Sequence, residues 1–241
     1  MKLSSAYLAD RLKERFEIVS QEHISGEDDY FRPFILPQGT TVPRGRVCVI
    51  TGSYMRQLEN TEKGIRDFTR TEDALLIFAE WNSEERLTEK PHCPYIRLNG
   101  AASAIDVLNT LQKIFDYCDD WVNQLNTLLL QSGSIQRALN LSAEMMGNPL
   151  VVMGMDFTLT AECRTGMMVK EHRLFTDQIV NLEYMNAFIQ DESYKDSLTA
   201  EKPVLLPAFI NGCRMINMNL WTKGEVTHRV VVLEAYKKLS E

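Results

Sequence analysis

The sequence predicts a chain of α/β plus α+β character: a small α/β domain over 1–102, a connecting helix over 103–131, and a second domain over 132–241 built on an antiparallel sheet. Three observations carry that expectation. The stretch 103–131, SAIDVLNTLQKIFDYCDDWVNQLNTLLLQ, contains no Gly or Pro, and about 29 residues of α-helix run about 44 Å, longer than a small domain needs for its own core. Before it, short apolar runs alternate with helical segments, the order of a partly parallel sheet. After it come a helix, two strands, more helices and three strands.

Size and composition suit this division. At 241 residues the chain exceeds the usual single domain, and 44% hydrophobic against 24% charged residues describes a globular protein able to build sizeable cores. A formal net charge of -7 and a pI near 5.3 argue against an extended phosphate-binding surface, which needs clustered Lys and Arg. The opening MKLSSAYLADRL is amphipathic, with neither the apolar core nor the small-residue cleavage site of a signal peptide. No stretch reaches the length of a membrane span. A cytoplasmic location without membrane contact is expected. Cys48, Cys93, Cys118, Cys163 and Cys213 are scattered among apolar residues, which suits free structural thiols in a reducing compartment.

In chain order, Ser4 or Ser5 can cap a helix carrying Leu8, Leu12 and Phe16 at four-residue spacing. Lys13 and Arg15 stand at the end where the helix dipole favours cations. AYLADRLKE resembles the first helix of a helix-turn-helix, but the following EIVSQEHISGEDDYFRP is acidic and lacks a second, basic helix. No strand is read in it. Phe34, Ile35 and Leu36, between Pro33 and Pro37, make a short edge strand at most. RVCVIT at 46–51 and ALLIFA at 74–79 are continuous apolar runs, as expected of strands buried on both faces. Between them SYMRQLENTEKGIRDF reads as a helix weakened by Gly64, and the polar connector NSEERLTEKPH leads to a strand, YIRL, at 95–98. Gly52 follows a strand, but GSYMRQ lacks the further glycines and the Lys-Ser/Thr pair of a phosphate cradle. Adjacent His92 and Cys93 lack metal-ligand partners at suitable spacing. Neither a metal nor a cofactor is expected.

Within the long helix Leu108, Leu111, Phe115, Cys118, Val122, Leu125 and Leu129 alternate steps of three and four. That is the 3.5-residue seam with which two helices pack. The helix is therefore expected either to pair with a second copy, giving a homodimer, or to lie on its own domain. Beyond it Ser134 can cap SIQRALNLSAEMM, which Gly147, Asn148 and Pro149 end. LVVMGM at 150–155, an Asp156-Phe157 turn and LTAECR at 159–164 predict an antiparallel hairpin. Helical signals fill roughly 171–197. VLL within 203–207, CRMINMNLW at 213–221 and THRVVVLEAY at 227–236 predict three more strands, the last two joined through Lys223 and Gly224.

This order resembles the layout of GAF and PAS sensor domains, in which one sheet face and the intervening helices enclose a small-molecule cavity. The run LNLSAEMMGNPLVVMGMDFTLTAECR at 139–164 is similar to the start of the GAF-like domain of PucR-type transcriptional regulators. There an NPL segment and an apolar strand precede an Asp turn and a second strand. KIFDYCDDWVNQLNTLLLQSGSIQRALNLS, from Lys113, resembles that family's interdomain helix. The resemblance covers most of the chain in layout and specific residues over about 113–164. It implies an effector-sensing and dimerisation region that binds a small-molecule metabolite in the GAF-like domain and relays it through the long helix to a DNA-binding module. The family's helix-turn-helix has no counterpart in 1–241. Contact with DNA is expected only through an output domain outside this chain, whether the chain is an excised sensory region or a stand-alone sensor.

The methionines concentrate at Met145, Met146, Met153, Met155, Met167, Met168, Met185, Met215 and Met218. Thioethers suit a cavity that closes on a flat or variable organic ligand, and they equally fill an irregular core. The expected ligand-binding set is Met153, Met155, Phe157, Cys163, Arg164, Met168, His172, Arg214 and Met215. In this set the Arg and His groups can anchor a carboxylate or a heteroaromatic ring. Arg173 and His228 are further polar candidates. No paired carboxylates stand out as general acid and base, and Cys163 or Cys213 would need His172 or His228 at separations that spacing does not test. No catalytic residue is assigned. Two alternatives to a sensor stay open: a structural dimerisation module with a dry, packed second domain, and a small-molecule enzyme dependent on Cys163 or His172.

Overall fold

The two continuous apolar runs become the central strands of a sheet buried on both faces. The computed structural model describes residues 1–59, 68, 70–80, 90–131, 133–163, 175–176, 179–210, 212–236 and 238–239. They form a mixed α/β protein with two five-stranded sheets, a two-stranded ribbon and one long helix. The chain divides into two compact units, Met1–Asp120 and Trp121–Glu241.

The first unit contains α1 (Ser5–Lys13), β1 (Ile18–Glu22), β2 (Phe31–Ile35), β3 (Arg46–Thr51), α2 (Gly52–Glu59), β4 (Ala74–Ala79), β5 (Tyr95–Leu98) and the start of α3 (Ala104–Leu130). Its sheet has the order β1-β5-β4-β3-β2, parallel from β5 to β2 with β1 antiparallel at the edge. Alternate residues of the central strands face opposite ways. Cys48, Ile50, Leu76 and Phe78 pack with Tyr54 and Met55 of α2 and with Phe68. Val47, Val49, Leu75 and Ile77 take the other parity and are fully buried, as are Leu8 and Leu12 of α1 and Val107, Leu111 and Phe115 of α3. Ser4 caps α1 through a hydrogen bond accepted from Tyr7 N. The Cys118 thiol of α3 donates to the Tyr7 hydroxyl of α1 at 3.5 Å. At the edge, Arg32 of β2 donates to Asp116 at 2.6 Å and Asp119 at 2.5 Å on α3.

Two edge strands differ from expectation. β1 lies in the segment where no strand is read, because only alternate residues of Ile18–Glu22 are half-buried and the rest are exposed. β2 begins three residues earlier than the apolar triplet, at Phe31, and includes Pro33. Its pairing with β3 is irregular between Phe31 and Phe34, which accommodates a residue without an N–H.

The second unit follows the end of α3 with α4 (Ile135–Met146), β6 (Leu150–Gly154), β7 (Leu159–Cys163), β8 (Phe175–Thr176), β9 (Ile179–Val180), α5 (Leu182–Gln190), α6 (Glu192–Ser197), β10 (Val204–Ile210), β11 (Cys213–Thr222) and β12 (Glu225–Leu233). Its sheet is antiparallel throughout, in the order β10-β11-β12-β6-β7. The first and last strands of the fold, β6 and β12, are therefore neighbours. Ser134 caps α4, and Gly147 ends it in the left-handed region at φ 65°. The Asn148 amide oxygen then accepts from Ala235 N at 3.2 Å and Tyr236 N at 2.9 Å, and Leu233 N donates to Pro149 O. The GNP segment thus ties the end of α4 to the end of β12. The 171–197 helical reading is corrected at 175–176 and 179–180, where β8 and β9 form a short ribbon; two helices occupy 182–197, and 171–174 lie outside the described residues.

α3 splits its seam between environments. Leu111, Phe115 and Cys118 are fully buried, whereas Leu129 is 77% exposed and its neighbour Leu130 is 88% exposed. Trp121 Nε1 donates to Ser142 Oγ of α4 at 3.3 Å. The segments 60–67 and 81–89, Ser132, and the candidates Arg164, Met167, Met168, His172 and Arg173 lie outside the described residues.

Candidate functional site

Both faces of the second sheet are covered, but the two covers differ in chemistry. On one face Leu139 and Ala143 of α4 pack on Leu150, Val152 and Ala161, an apolar layer with Cys163, Leu220, Val230 and Val232 at its margin. The other face carries Val151, Met153, Met215 and Val231 beneath Val180, Phe188 of α5 and Tyr194 of α6. The rings of Phe157, Phe188 and Tyr194 stack there, with centroids 5.2 Å apart for Phe188 and Tyr194 and 6.3 Å from Phe157 to each.

Three polar side chains interrupt this second layer. Strand pairing places Arg229 of β12 between Asn219 of β11 and Met153 of β6, and places Val231 between Asn217 and Val151. Arg229 is 1% exposed. Its Cζ lies over the Tyr194 ring, 4.8 Å from the centroid, and its three nitrogens have no hydrogen-bond partner among the described residues. Asn217 is unpartnered at both amide atoms and Asn219 at Oδ1. Asn219 Nδ2 is occupied, donating to the carbonyls of Ser197, Leu198 and Ala200 at 2.8, 3.2 and 2.9 Å, where α6 ends. Burial pushes the Arg229 guanidinium below its ordinary pKa, opposed by attraction to Tyr194, whose own pKa burial raises. An uncompensated buried ion costs on the order of several kcal/mol, and each orphaned amide group about 1–3 kcal/mol. Such a cluster inside an aromatic-lined layer is the chemistry of a polar ligand site.

The expected residues fall in three groups. Met153 and Met215 lie on the polar-interrupted face, and Phe157 packs at its edge. Phe157 takes φ 66° in the hairpin turn, where Asp156 Oδ1 accepts from Thr158 N and Oγ1 at 3.1 and 2.7 Å, and Phe157 O receives Val180 N. Met155 is exposed at the same turn, away from the buried layer. Cys163 and Arg214 belong to the opposite parity: Cys163 borders the α4 layer, and Arg214 forms a two-pronged ion pair with Glu234 at 2.9 and 2.6 Å. Arg164, Met168 and His172 lie outside the described residues. Sequence reading missed Arg229, Asn217, Asn219 and Tyr194. The available signal was parity, since Asn217 and Asn219 share a face with Met215, and Arg229 shares one with Val231.

Other chemistries find less support. Burial raises the pKa of Cys163 and Cys213, which lowers thiolate content; Cys48 and Cys93 are pushed up to about 12. Among the described residues no group of His, Cys, Asp or Glu side chains is placed to hold a metal ion, and no helix is long and apolar enough to cross a membrane. A cleft of about 500 Å³ opens in the first unit, lined among others by Thr40, Arg44, Tyr54, Arg70, Glu72 and Asp73. Gly45 N donates to Asp73 O at 2.7 Å, so the cleft lies where β3 and β4 begin, whereas parallel sheets bind ligands beyond their carboxyl ends. Its lining carries Arg44 and Arg70 together with Glu72 and Asp73, and none of its described side chains is an orphaned buried group. No protein-family model matches the chain, and no curated protein matches it.

Proposed function

We propose that the chain is the effector-sensing and dimerisation region of a cytoplasmic PucR-like transcriptional regulator, with its effector site between the second unit's sheet and helices α5 and α6. The observation that carries this reading is the buried, unpartnered Arg229 with Asn217 and Asn219 beside it. Core positions that only pack are apolar or satisfied. The arrangement of helix, hairpin, helices and three antiparallel strands supports a GAF/PAS-like sensor. So does the pairing of β6 with β12, which brings both ends of the unit to the middle of its sheet.

Effector binding shifts an equilibrium between two pairings of α3, which requires different affinity for the two states. Leu111, Phe115 and Cys118 are buried within the first unit, so pairing between copies uses the later seam positions Val122, Leu125 and Leu129. DNA is reached through an output module outside this chain. Calorimetric titration of the chain with purine-pathway, sugar-acid and aromatic metabolites tests the reading: saturable heat with one of these classes is expected. Silence across the panel, together with a fully packed second unit in a ligand-soaked crystal, leaves the second reading, a ligand-free dimerisation module. The Phe157, Phe188 and Tyr194 stack favours that alternative, because the three rings pack against one another within the layer.

A further inference from the structure

The polar groups left open in the second unit define more than a location; they define what they lack. Among the described residues no acceptor stands in hydrogen-bond geometry to the planar N–H donors of Arg229, and Tyr194 is the group that attracts the cation there. No described salt bridge includes it. Among the described residues Asn219 Oδ1 lacks a donor, and Asn217 lacks both a donor and an acceptor. Asn219 stands directly across from Arg229, and Asn217 is diagonal to it, a separation of about 7–8 Å between backbone positions that one small molecule spans.

We infer that the interior of the second unit binds a small organic monocarboxylate bearing at least one hydrogen-bond donor, its carboxylate on Arg229 and its donor on Asn219 or Asn217. This assignment rests on the effector-site reading and gives it a ligand class. A carboxylate matches the guanidinium fork in two parallel hydrogen bonds. One cation flanked by neutral amides suits one negative charge, and a phosphate dianion would remain half-neutralised in this low-dielectric layer. The adjoining Phe157, Phe188 and Tyr194 rings accept an apolar or planar body.

The test is thermal unfolding of the full chain at constant ionic strength with matched probes: 4-hydroxybenzoate against 4-hydroxybenzamide, oxamate against oxamide, and inorganic phosphate against chloride. Wild type, Arg229→Met and Asn217→Leu are compared. At least one carboxylate is expected to raise the wild-type melting temperature well above its amide and above phosphate, with the increment lost in Arg229→Met and reduced in Asn217→Leu. Equal shifts for carboxylate and amide, a phosphate shift as large, or the same carboxylate increment in Arg229→Met overturns the assignment. So does an absence of any carboxylate effect in wild type. In that last case the probe-free variants separate the two failures. If Arg229→Met or Asn217→Leu melts higher than wild type, the polar layer is an unfilled site for an uncharged ligand and the sensor reading stands. If both melt lower, the cluster is structural and the sensor reading falls with the ligand class. A variant that does not fold is replaced by the other, each reporting on the same layer.

Discussion

Arg214 of β11 pairs with Glu234, just past the end of β12, and the titration of that carboxyl is readable in solution. Arg214, with the Leu239 amide, holds the Glu234 carboxyl down to about 2 from an ordinary 4.5. The folded chain therefore binds fewer protons than the unfolded chain between those values, and the pair's contribution is full above pH 4.5 and lost as the pH falls toward 2. Glu234→Gln should melt lower than wild type at neutral pH, with the gap closing across that window; a pH-independent gap contradicts the assignment. Gly147 ends α4 at φ 65°, so Gly147→Ala should cost about 1 kcal/mol in urea unfolding, and an unchanged midpoint would show that the turn relaxes. That glycine was legible, because Gly-Asn-Pro after an amphipathic run is a helix stop. Arg229 was not. An arginine in THRVVV reads as an outward charge, and only the cover supplied by α5 and α6 turns its face into an interior.

At the scale of elements, legibility tracked the number of buried faces. β3, β4 and β6 are continuous apolar runs because both faces of their sheets are covered. β1 has one half-buried face, and β8 and β9 are two residues long, set by pairing at the β6–β7 turn more than by propensity. α3 was legible as a helix, but its heptad seam did not reveal that two neighbouring stretches serve different roles. Leu111 and Phe115 belong to a core, and Leu129 stands open. If the open part of the seam pairs two copies, Leu129→Asp should raise the dimer dissociation constant about tenfold or more in sedimentation while leaving the melting of each unit unchanged. Unaltered self-association would place the dimer contact elsewhere.

For the whole molecule, the chain divides into two compact units, each with its own core, and the long helix runs from the first into the second. The first unit is an α/β body whose described strands carry no unsatisfied buried side-chain polar atom. Among its described residues the second has buried polar atoms without hydrogen-bond partners, at Asn217, Asn219 and Arg229. Proteins keep such defects where function needs them, at a cost in stability. The layout was readable because length, the Gly- and Pro-free stretch and the strand order are properties of whole segments. The site was not, because it depends on which parity of β11 and β12 faces the helices. The most direct measurement is the melting temperature of Arg229→Met against wild type, both without added ligand. Replacing an unpartnered buried cation by an apolar chain of similar length should raise it by about 4 °C or more. A fall of that size, matched by a fall in Asn217→Leu, would mean that the polar cluster holds the fold together, and that the second unit's interior is not an unfilled site.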